Sequence, residues 1–167
     1  MKKSKIAALV AAWCAAVPSI DAAAVEAADE ARGRVYAVAG EGLEVRDART
    51  GARIVSLALQ DWFVVRPEYA CPPAIALGPK GAVVVTSNAM ATVWRVDPES
   101  LRVTRHRLLR DADLGRDFGF TRLRWSPESQ AYVATADDGA RWEIEASLTR
   151  AWKRGDAEGR RMQACRP

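Results

Sequence analysis

Two neighbouring carboxylates are the residues of this 167-residue chain whose types and spacing best suit catalysis. Asp137 and Asp138 could act as a general acid and a general base, but aspartates directly before Gly139 are also an ordinary turn composition. The single histidine, His106, lies among arginines in a segment that alternates like an edge strand, which predicts a solvated surface residue. No serine-nucleophile, zinc-protease or phosphate-loop motif is present in the sequence. We therefore predict no enzyme activity, no catalytic residue and no cofactor.

Three further aspartates, Asp111, Asp113 and Asp117, could supply oxygen ligands to Ca²⁺. Their order does not follow the calcium-binding loop of helix-loop-helix proteins, so a solvated connection is the interpretation we favour. A zinc site is not expected, because the one histidine stands far from the cysteines. The sequence predicts no metal site and leaves weak calcium binding open.

The N-terminal segment has the composition of a secretory signal. Residues 1–24 contain three lysines, an apolar run over 6–17 and a final Ala-x-Ala site. A transmembrane anchor is the rival interpretation, but the run is short for a bilayer. Trp13 before Cys14 is too bulky for a lipoprotein signal. We expect a periplasmic or secreted protein that contacts no membrane after cleavage.

Cleavage also changes the charge and the cysteine count. The formal charge falls from +4 to +2, because three lysines and one aspartate leave with the signal, and this argues against a nucleic-acid partner. The two cysteines that remain, Cys71 and Cys165, are expected to pair in an oxidising compartment, with free thiols or an intermolecular bond as alternatives. The bond would close a loop of roughly 95 residues and stabilise the fold by about 4–5 kcal/mol. It would tie a polar tail, residues 155–167, to the middle of the chain.

An internal repeat indicates the elements that position these side chains. Residues 74–97 return 48 positions later as residues 122–145. Apolar and polar residues alternate in register in both copies, and this period of two is typical of strands with one buried face. The matched pairs are Ile75 and Leu123, Leu77 and Trp125, Val83 and Ala131, Val85 and Val133, Trp94 and Trp142, and Val96 and Ile144. Each copy therefore holds at least three strands.

A third, weaker copy precedes these two and starts near Val35. Its Asp47 and Thr50 match Asp97 and Ser100 fifty positions later. The apolar residues of this copy slip by one position against the others, which we attribute to a different turn length.

The repeat resembles the blades of WD-repeat and related β-propellers. The best matches are Trp-Ser-Pro at residues 125–127 and Asp-Ala-Arg-Thr-Gly at residues 47–51, and the second is also similar to the repeats of quinoprotein dehydrogenases. The Trp-Asp dipeptide of WD repeats is replaced by Val96-Asp97 in one copy. The resemblance implies an all-β fold of about three four-stranded antiparallel blades over residues 33–154, an incomplete propeller that follows an N-terminal signal helix.

Three blades leave sheet faces uncovered, since closed propellers use about four to eight blades. Residues 25–32 are acidic and alanine-rich, and we expect a short helix or a disordered lead there. The first blade then lacks an inner strand, which leaves a gap that a partner strand could fill. Because apolar sheet faces must be covered, we expect self-association or a protein partner, and the alternative is a compact β structure that is not a true propeller.

The resemblance also implies where recognition occurs. Propellers bind at one rim, formed by the turns between second and third strands and by the connections between blades. The long connection over residues 60–73 carries three aromatic residues, two of which could instead cover the end of the core. The predicted binding residues are Asp61, Trp62, Phe63, Tyr69, Asn88, Met90, Asp137 and Asp138.

The sequence as a whole predicts an exported binding or assembly protein that docks to a protein or envelope partner and has no chemistry of its own. The alternative is an accessory or degenerate subunit of a periplasmic quinoprotein-type or other propeller dehydrogenase. A redox role predicts a cofactor absorbance or an obligate dehydrogenase partner, whereas a binding role predicts neither.

Overall fold

The computed structural model describes residues 25–40, 42–65, 71–110, 119–136 and 138–155. These residues form three antiparallel sheets of four consecutive strands each, so the all-β prediction is confirmed. The expected signal helix, residues 1–24, lies outside the described residues. No helix in the described ranges has the length and apolar character needed to cross a membrane.

The four antiparallel strands of each sheet form a simple meander in which strand order follows chain order, and the third sheet has a short fifth strand at its edge. The first sheet contains β1 (Glu26–Asp29), β2 (Arg34–Ala39), β3 (Gly42–Asp47) and β4 (Arg53–Ala58), and the second contains β5 (Ile75–Leu77), β6 (Val83–Thr86), β7 (Thr92–Val96) and β8 (Val103–Arg107). The third contains β10 (Phe120–Ser126), β11 (Ala131–Ala136), β12 (Arg141–Glu145) and β13 (Arg150–Gly155), with the two-residue β9 (Leu109–Arg110) added in parallel to β13.

The two tryptophans that mark the repeat occupy equivalent places. Trp94 lies in the third strand of the second sheet and Trp142 in the third strand of the third sheet, and both are fully buried. Trp94 packs with Tyr36 and Val45 of the first sheet, and Trp142 packs with Val84 of the second. Each tryptophan thus faces the preceding sheet, and two apolar layers hold the three sheets together face to face.

The strand register corrects one part of the sequence alignment. Val85 pairs with Trp94 in the second sheet, whereas Ala134 pairs with Trp142 in the third. The match of Val85 with Val133 is therefore wrong by one residue. The turn between the first and second strands is one residue longer in the third sheet, and the following turn is one residue shorter, so the register returns at the tryptophans.

The expectation for residues 25–32 is corrected in part, because Glu26–Asp29 form the innermost strand of the first sheet and only Glu30–Arg32 form a short helix, of the 3-10 type. Alanine and glutamate have low strand propensity, so the pattern did not reveal this strand. Pairing with β2 decides the outcome, and the Arg32 guanidinium then joins Asp29 (3.0 Å) to Glu99 (2.6 Å) in the second sheet. The inner position of the first sheet is occupied, so no gap remains there for a partner strand.

The slip in the first copy has a physical cause other than turn length. Glu44 stands three residues before Asp47, as Trp94 stands three residues before Asp97. In the first sheet this face is the outer end of the stack, and Arg46 donates two hydrogen bonds to Glu44 (2.8 and 3.0 Å). The position held by the apolar Trp94 between the first and second sheets is therefore held by the ion-paired Glu44 at the end of the stack.

The outer face of the third sheet is polar as well. Arg122, Thr135 and Arg141 form one cross-strand row on this face, and Arg124 and Glu143 belong to the next row. Repeat proteins use terminal units with polar outer faces to end a stack in water. Both outer faces of the described sheets are thus largely polar, although Val133 and Trp152 stand in the row of Glu143. Self-association stays a prediction.

The turns between third and fourth strands repeat one hydrogen-bonded motif in the first two sheets. Asp97 Oδ1 accepts bonds from the Ser100 amide (2.8 Å) and the Ser100 hydroxyl (2.8 Å). Asp47 Oδ1 accepts the corresponding bonds from Thr50 (2.7 and 2.8 Å). The match of Asp47 and Thr50 with Asp97 and Ser100 is thus confirmed, and these bonds hold the pKa of both carboxyls below the usual value of 3.8.

Replacing Ser100 with alanine tests this motif. The amide and hydroxyl of Ser100 lower the pKa of Asp97, so loss of the hydroxyl is expected to raise that pKa toward 3.8. In the wild type the stabilising contribution of Asp97 is present above pH 3.8 and is lost as the pH falls through the lower folded value. A carboxyl-carbon NMR titration measures the shift. Asp47 is the internal control, and an equal shift at Asp47 would contradict a local cause.

Candidate functional site

Most of the predicted binding residues belong to one rim of the stack, which we call the connection rim. It comprises the described parts of the sheet connections and of the turns between second and third strands: residues 40, 59–65, 71–74, 87–91, 108–110, 119 and 138–140. In an antiparallel meander these segments all lie at the same end of the strands. The structure therefore brings together the rim that the sequence predicted.

Asn88 lies inside this rim and does not face solvent. Its side chain is 4% exposed and makes hydrogen bonds that cross the long connection. The amide nitrogen donates to the carbonyls of Val65 (2.8 Å) and Cys71 (2.8 Å), and Oδ1 accepts from the Val65 amide (2.8 Å). Asn88 thus clamps Val65, in the middle of the connection, to Cys71 near its end, and its polar atoms are not available to a partner.

Trp62 and Met90 hold the rim against the core. The ring of Trp62 meets that of Trp94 edge to face, with 5.0 Å between centroids, and its Nε1 donates to the Gly40 carbonyl (3.1 Å). Met90 packs against the same apolar layer. The sequence allowed that Trp62 covers the end of the core, and the structure supports that role.

Phe63 is the predicted aromatic that solvent reaches, with 56% of its surface exposed. Its backbone is fixed, because the Ser87 hydroxyl donates to the Phe63 carbonyl (2.6 Å) and the Trp62 amide donates to the Leu59 carbonyl (3.0 Å). Asp61, with a left-handed φ of 55°, forms an ion pair with Arg105 of the second sheet. A rigid segment therefore presents an apolar ring to solvent.

A cleft of about 600 Å³ lies beside this segment, between the outer strands of the first sheet and the Trp62 ring. Its lining residues are Ala39, Gly42, Leu43, Glu44, Ser56, Leu57, Ala58, Leu59, Asp61 and Trp62. The cleft extends the surface next to Phe63 and offers both backbone groups and apolar side chains to a partner.

The remaining predicted residues have other outcomes. Asp138 is exposed and accepts a hydrogen bond from the Ala140 amide (2.8 Å), as expected for a turn aspartate. Cys71 is 5% exposed, but Cys165 is outside the described residues, so their pairing stays a prediction. Tyr69, Asp137 and the three aspartates considered for calcium, Asp111, Asp113 and Asp117, also fall outside the described ranges.

His106 is more enclosed than the sequence indicated. It pairs with Val93 and faces the third sheet, and its Nε2 is buried and has no hydrogen-bond partner in the described part of the chain. Burial, and to a lesser extent the nearby Arg95 charge, lowers the pKa of His106. The prediction of a solvated histidine is therefore correct only in part: His106 is half-buried, because its face of the edge strand packs toward a neighbouring sheet.

A second concave surface was not predicted from the sequence, and we call it the arginine groove. It has a volume of about 650 Å³ and lies where the innermost strands of the three sheets converge. Its lining residues are Val25, Glu26, Pro72, Pro73, Ala74, Ile75, Thr121, Arg122, Leu123, Arg124, Val133, Thr135 and Arg141. The alternation of Arg122, Leu123 and Arg124 was a usable signal, but only the sheet pairing brings Arg141 beside them.

The comparisons with known proteins identify the fold and no family. Neither a family model nor a curated protein sequence matches this chain. Among solved structures, a catalytically inactive virginiamycin B lyase from Staphylococcus aureus with quinupristin is 15% identical, with a TM-score of 0.60, and covers 87% of this chain and 45% of its own. Hydrazine synthase from Kuenenia stuttgartiensis is also 15% identical, with a TM-score of 0.53, and covers 75% of this chain and 34% of its own.

Both neighbours are propeller-type folds, so the three stacked sheets are propeller-like blades. The chain spans less than half the length of either neighbour. At 15% identity the likeness concerns the fold alone.

Proposed function

We propose that this protein is an exported binding protein without chemistry of its own, which docks a protein partner of the cell envelope through the connection rim. The observation that carries the proposal is Phe63, a large apolar side chain held 56% exposed on a clamped backbone. An aromatic anchor on a rigid segment loses little conformational entropy on binding, which is the property of residues that dominate protein interfaces.

The hydrogen bonding of the rim favours recognition over catalysis. Asn88, Ser87 and Asp138 direct their side-chain polar atoms at backbone groups of their own turns and connections. A catalytic side chain must keep such an atom available to a substrate. These residues instead fix the shape of the surface around Phe63 and the adjoining cleft.

The ends of the stack bear on the choice between self-association and another partner. Glu44 and Arg46 at one end, and Arg122, Arg124 and Arg141 at the other, replace the apolar side chains that join neighbouring sheets. A polar end face does not need a second copy of the chain to cover it. This supports a partner of a different kind, bound at the rim, and a mature protein with the mass of one chain in solution.

Replacing Phe63 with alanine is expected to weaken partner capture by the mature protein at least about tenfold, because the aromatic anchor of the rim is lost. The measurement is quantitative pull-down from periplasmic extract, followed by the affinity of the recovered partner for each variant. Ile54→Ala is the matched control, since Ile54 is an equally exposed apolar residue (52%) at the far end of β4.

The affinity of the control variant for the partner should stay within about twofold of wild type. Both variants should have the melting temperature of wild type, because neither side chain is buried. Equal losses for Phe63→Ala and Ile54→Ala would contradict a specific rim surface. So would wild-type capture by Phe63→Ala.

A further inference from the structure

We infer that the arginine groove is a binding site for a small organic anion that carries at least two carboxylate or phosphate groups. The groove lies at the inner edge of the stack and shares no lining residue with the cleft beside Phe63. This site therefore goes beyond the proposed docking function and can be tested separately from it.

The sheet register places the three guanidinium groups of the groove together. Arg122 pairs with Thr135, and Thr135 pairs with Arg141, so the three residues form a row across three neighbouring strands. Strands are about 4.8 Å apart, which puts the two ends of the row roughly 10 Å from each other. Arg124 lies two residues beyond Arg122 on the same face, at a backbone distance of about 7 Å.

None of these three cations is ion-paired with a carboxylate of the described residues, and Glu143, the carboxylate in the row of Arg124, is bound to Arg154 (2.8 Å). Arg122, Arg124 and Arg141 are exposed. Glu26 is the carboxylate that lines the groove, and it forms its ion pair with Arg46, whose Nη1 lies 3.6 Å from Glu26 Oε1. Three like charges on one face of the sheet repel each other, so the groove holds a positive potential that a bound anion would neutralise.

The walls of the groove indicate the kind of anion. A volume of about 650 Å³ is in the range of small-molecule sites. Ile75 and Val133 provide apolar surface, and the hydroxyl-bearing Thr121 and Thr135 line the same space. Arginine binds the planar edge of a carboxylate or phosphate through two parallel N–H donors. The site therefore suits a compact molecule with separated anionic groups on a partly apolar body.

Calorimetric titration of the mature protein tests the site, with citrate as the carboxylate probe and inorganic pyrophosphate as the phosphate probe. We expect saturable binding of at least one probe that weakens as salt rises. The double variant Arg122→Gln/Arg141→Gln should weaken that binding at least about tenfold. The better probe then identifies which anionic group the groove prefers.

The matched control is Arg102→Gln/Arg107→Gln, which removes the same charge from two exposed arginines of the second sheet. Its dissociation constant for the probe should stay within about threefold of the wild-type value, which corresponds to about 0.7 kcal/mol of binding free energy. The groove variant should melt no lower than wild type without anion and should lose the rise in melting temperature that the probe gives wild type.

Three results would overturn the proposal. The first is that neither probe binds saturably. The second is that the control variant loses as much affinity for the probe as the groove variant, which would indicate a response to net charge alone. The third is that an acidic peptide binds saturably while neither small anion does, which would make the groove a protein-docking surface.

Discussion

Replacing Trp94 with alanine is expected to lower the free energy of unfolding by about 3–5 kcal/mol, the largest loss for any single substitution proposed for this protein. The Trp94 side chain is fully buried between the first and second sheets. It contacts the ring of Trp62 edge to face, and its Nε1 donates to the Gln60 carbonyl (3.0 Å). Alanine would remove the ring contacts and this hydrogen bond, and would leave a cavity in the apolar layer. Urea denaturation of the mature protein, followed by tryptophan fluorescence and circular dichroism, measures the loss.

Phe63→Ala is the control for this experiment, because it removes an aromatic ring from the same part of the molecule at an exposed position. Its unfolding free energy should stay within about 0.5 kcal/mol of wild type. If Trp94→Ala cost less than about 1 kcal/mol, the apolar layer between the sheets would not hold the stack together as described.

Replacing Asn88 with alanine is expected to cost about 2–3 kcal/mol, because buried backbone groups lose their partners. The side-chain nitrogen of Asn88 donates to the Val65 and Cys71 carbonyls, and its oxygen accepts from the Val65 amide. Alanine replaces none of these bonds. Thermal and urea unfolding measure the stability, and amide hydrogen exchange at Val65 reports whether the connection opens locally.

The local and global effects of Asn88→Ala can be separated. Gln60→Ala is the matched control, since the Gln60 side chain is exposed on the same connection and only its carbonyl accepts a described hydrogen bond. It should leave both stability and Val65 exchange unchanged. Fast exchange at Val65 with nearly wild-type stability would show that Asn88 closes the connection alone, whereas unchanged exchange would contradict the clamp.

The loss of this clamp has a consequence for the proposed function. Asn88 and Ser87 together fix the segment that carries Phe63. A freed segment would have to be ordered on binding, and that ordering costs conformational entropy. Asn88→Ala should therefore weaken partner capture although Asn88 itself does not face a partner.

Much of the fold was predictable because its signal is local. A strand alternates sides at every residue, so the alternation around Trp94 and Trp142 appears within a few positions and indicates a buried face directly. Asp47 and Asp97 bond to residues two and three positions later, so these turns are equally visible in the sequence.

The errors arose where distant contacts decide the structure. Glu26–Asp29 is a strand because β2 pairs with it, although its own residues do not favour one. Phe63 and Trp62 are adjacent aromatic residues, yet one is exposed and the other contacts Trp94. No local pattern distinguishes two such neighbours, since the difference depends on which elements pack around them.

Alternation and turn residues were enough to predict repeated antiparallel strands with one tryptophan at the same place in two of the units. The folded structure was needed to show which sheet faces end the stack, which rim residues stay exposed, and that Arg122, Arg124 and Arg141 share one groove. The reason is that alternation fixes the direction of a side chain relative to its own strand, whereas its neighbours depend on strand pairing and sheet stacking over long sequence separations.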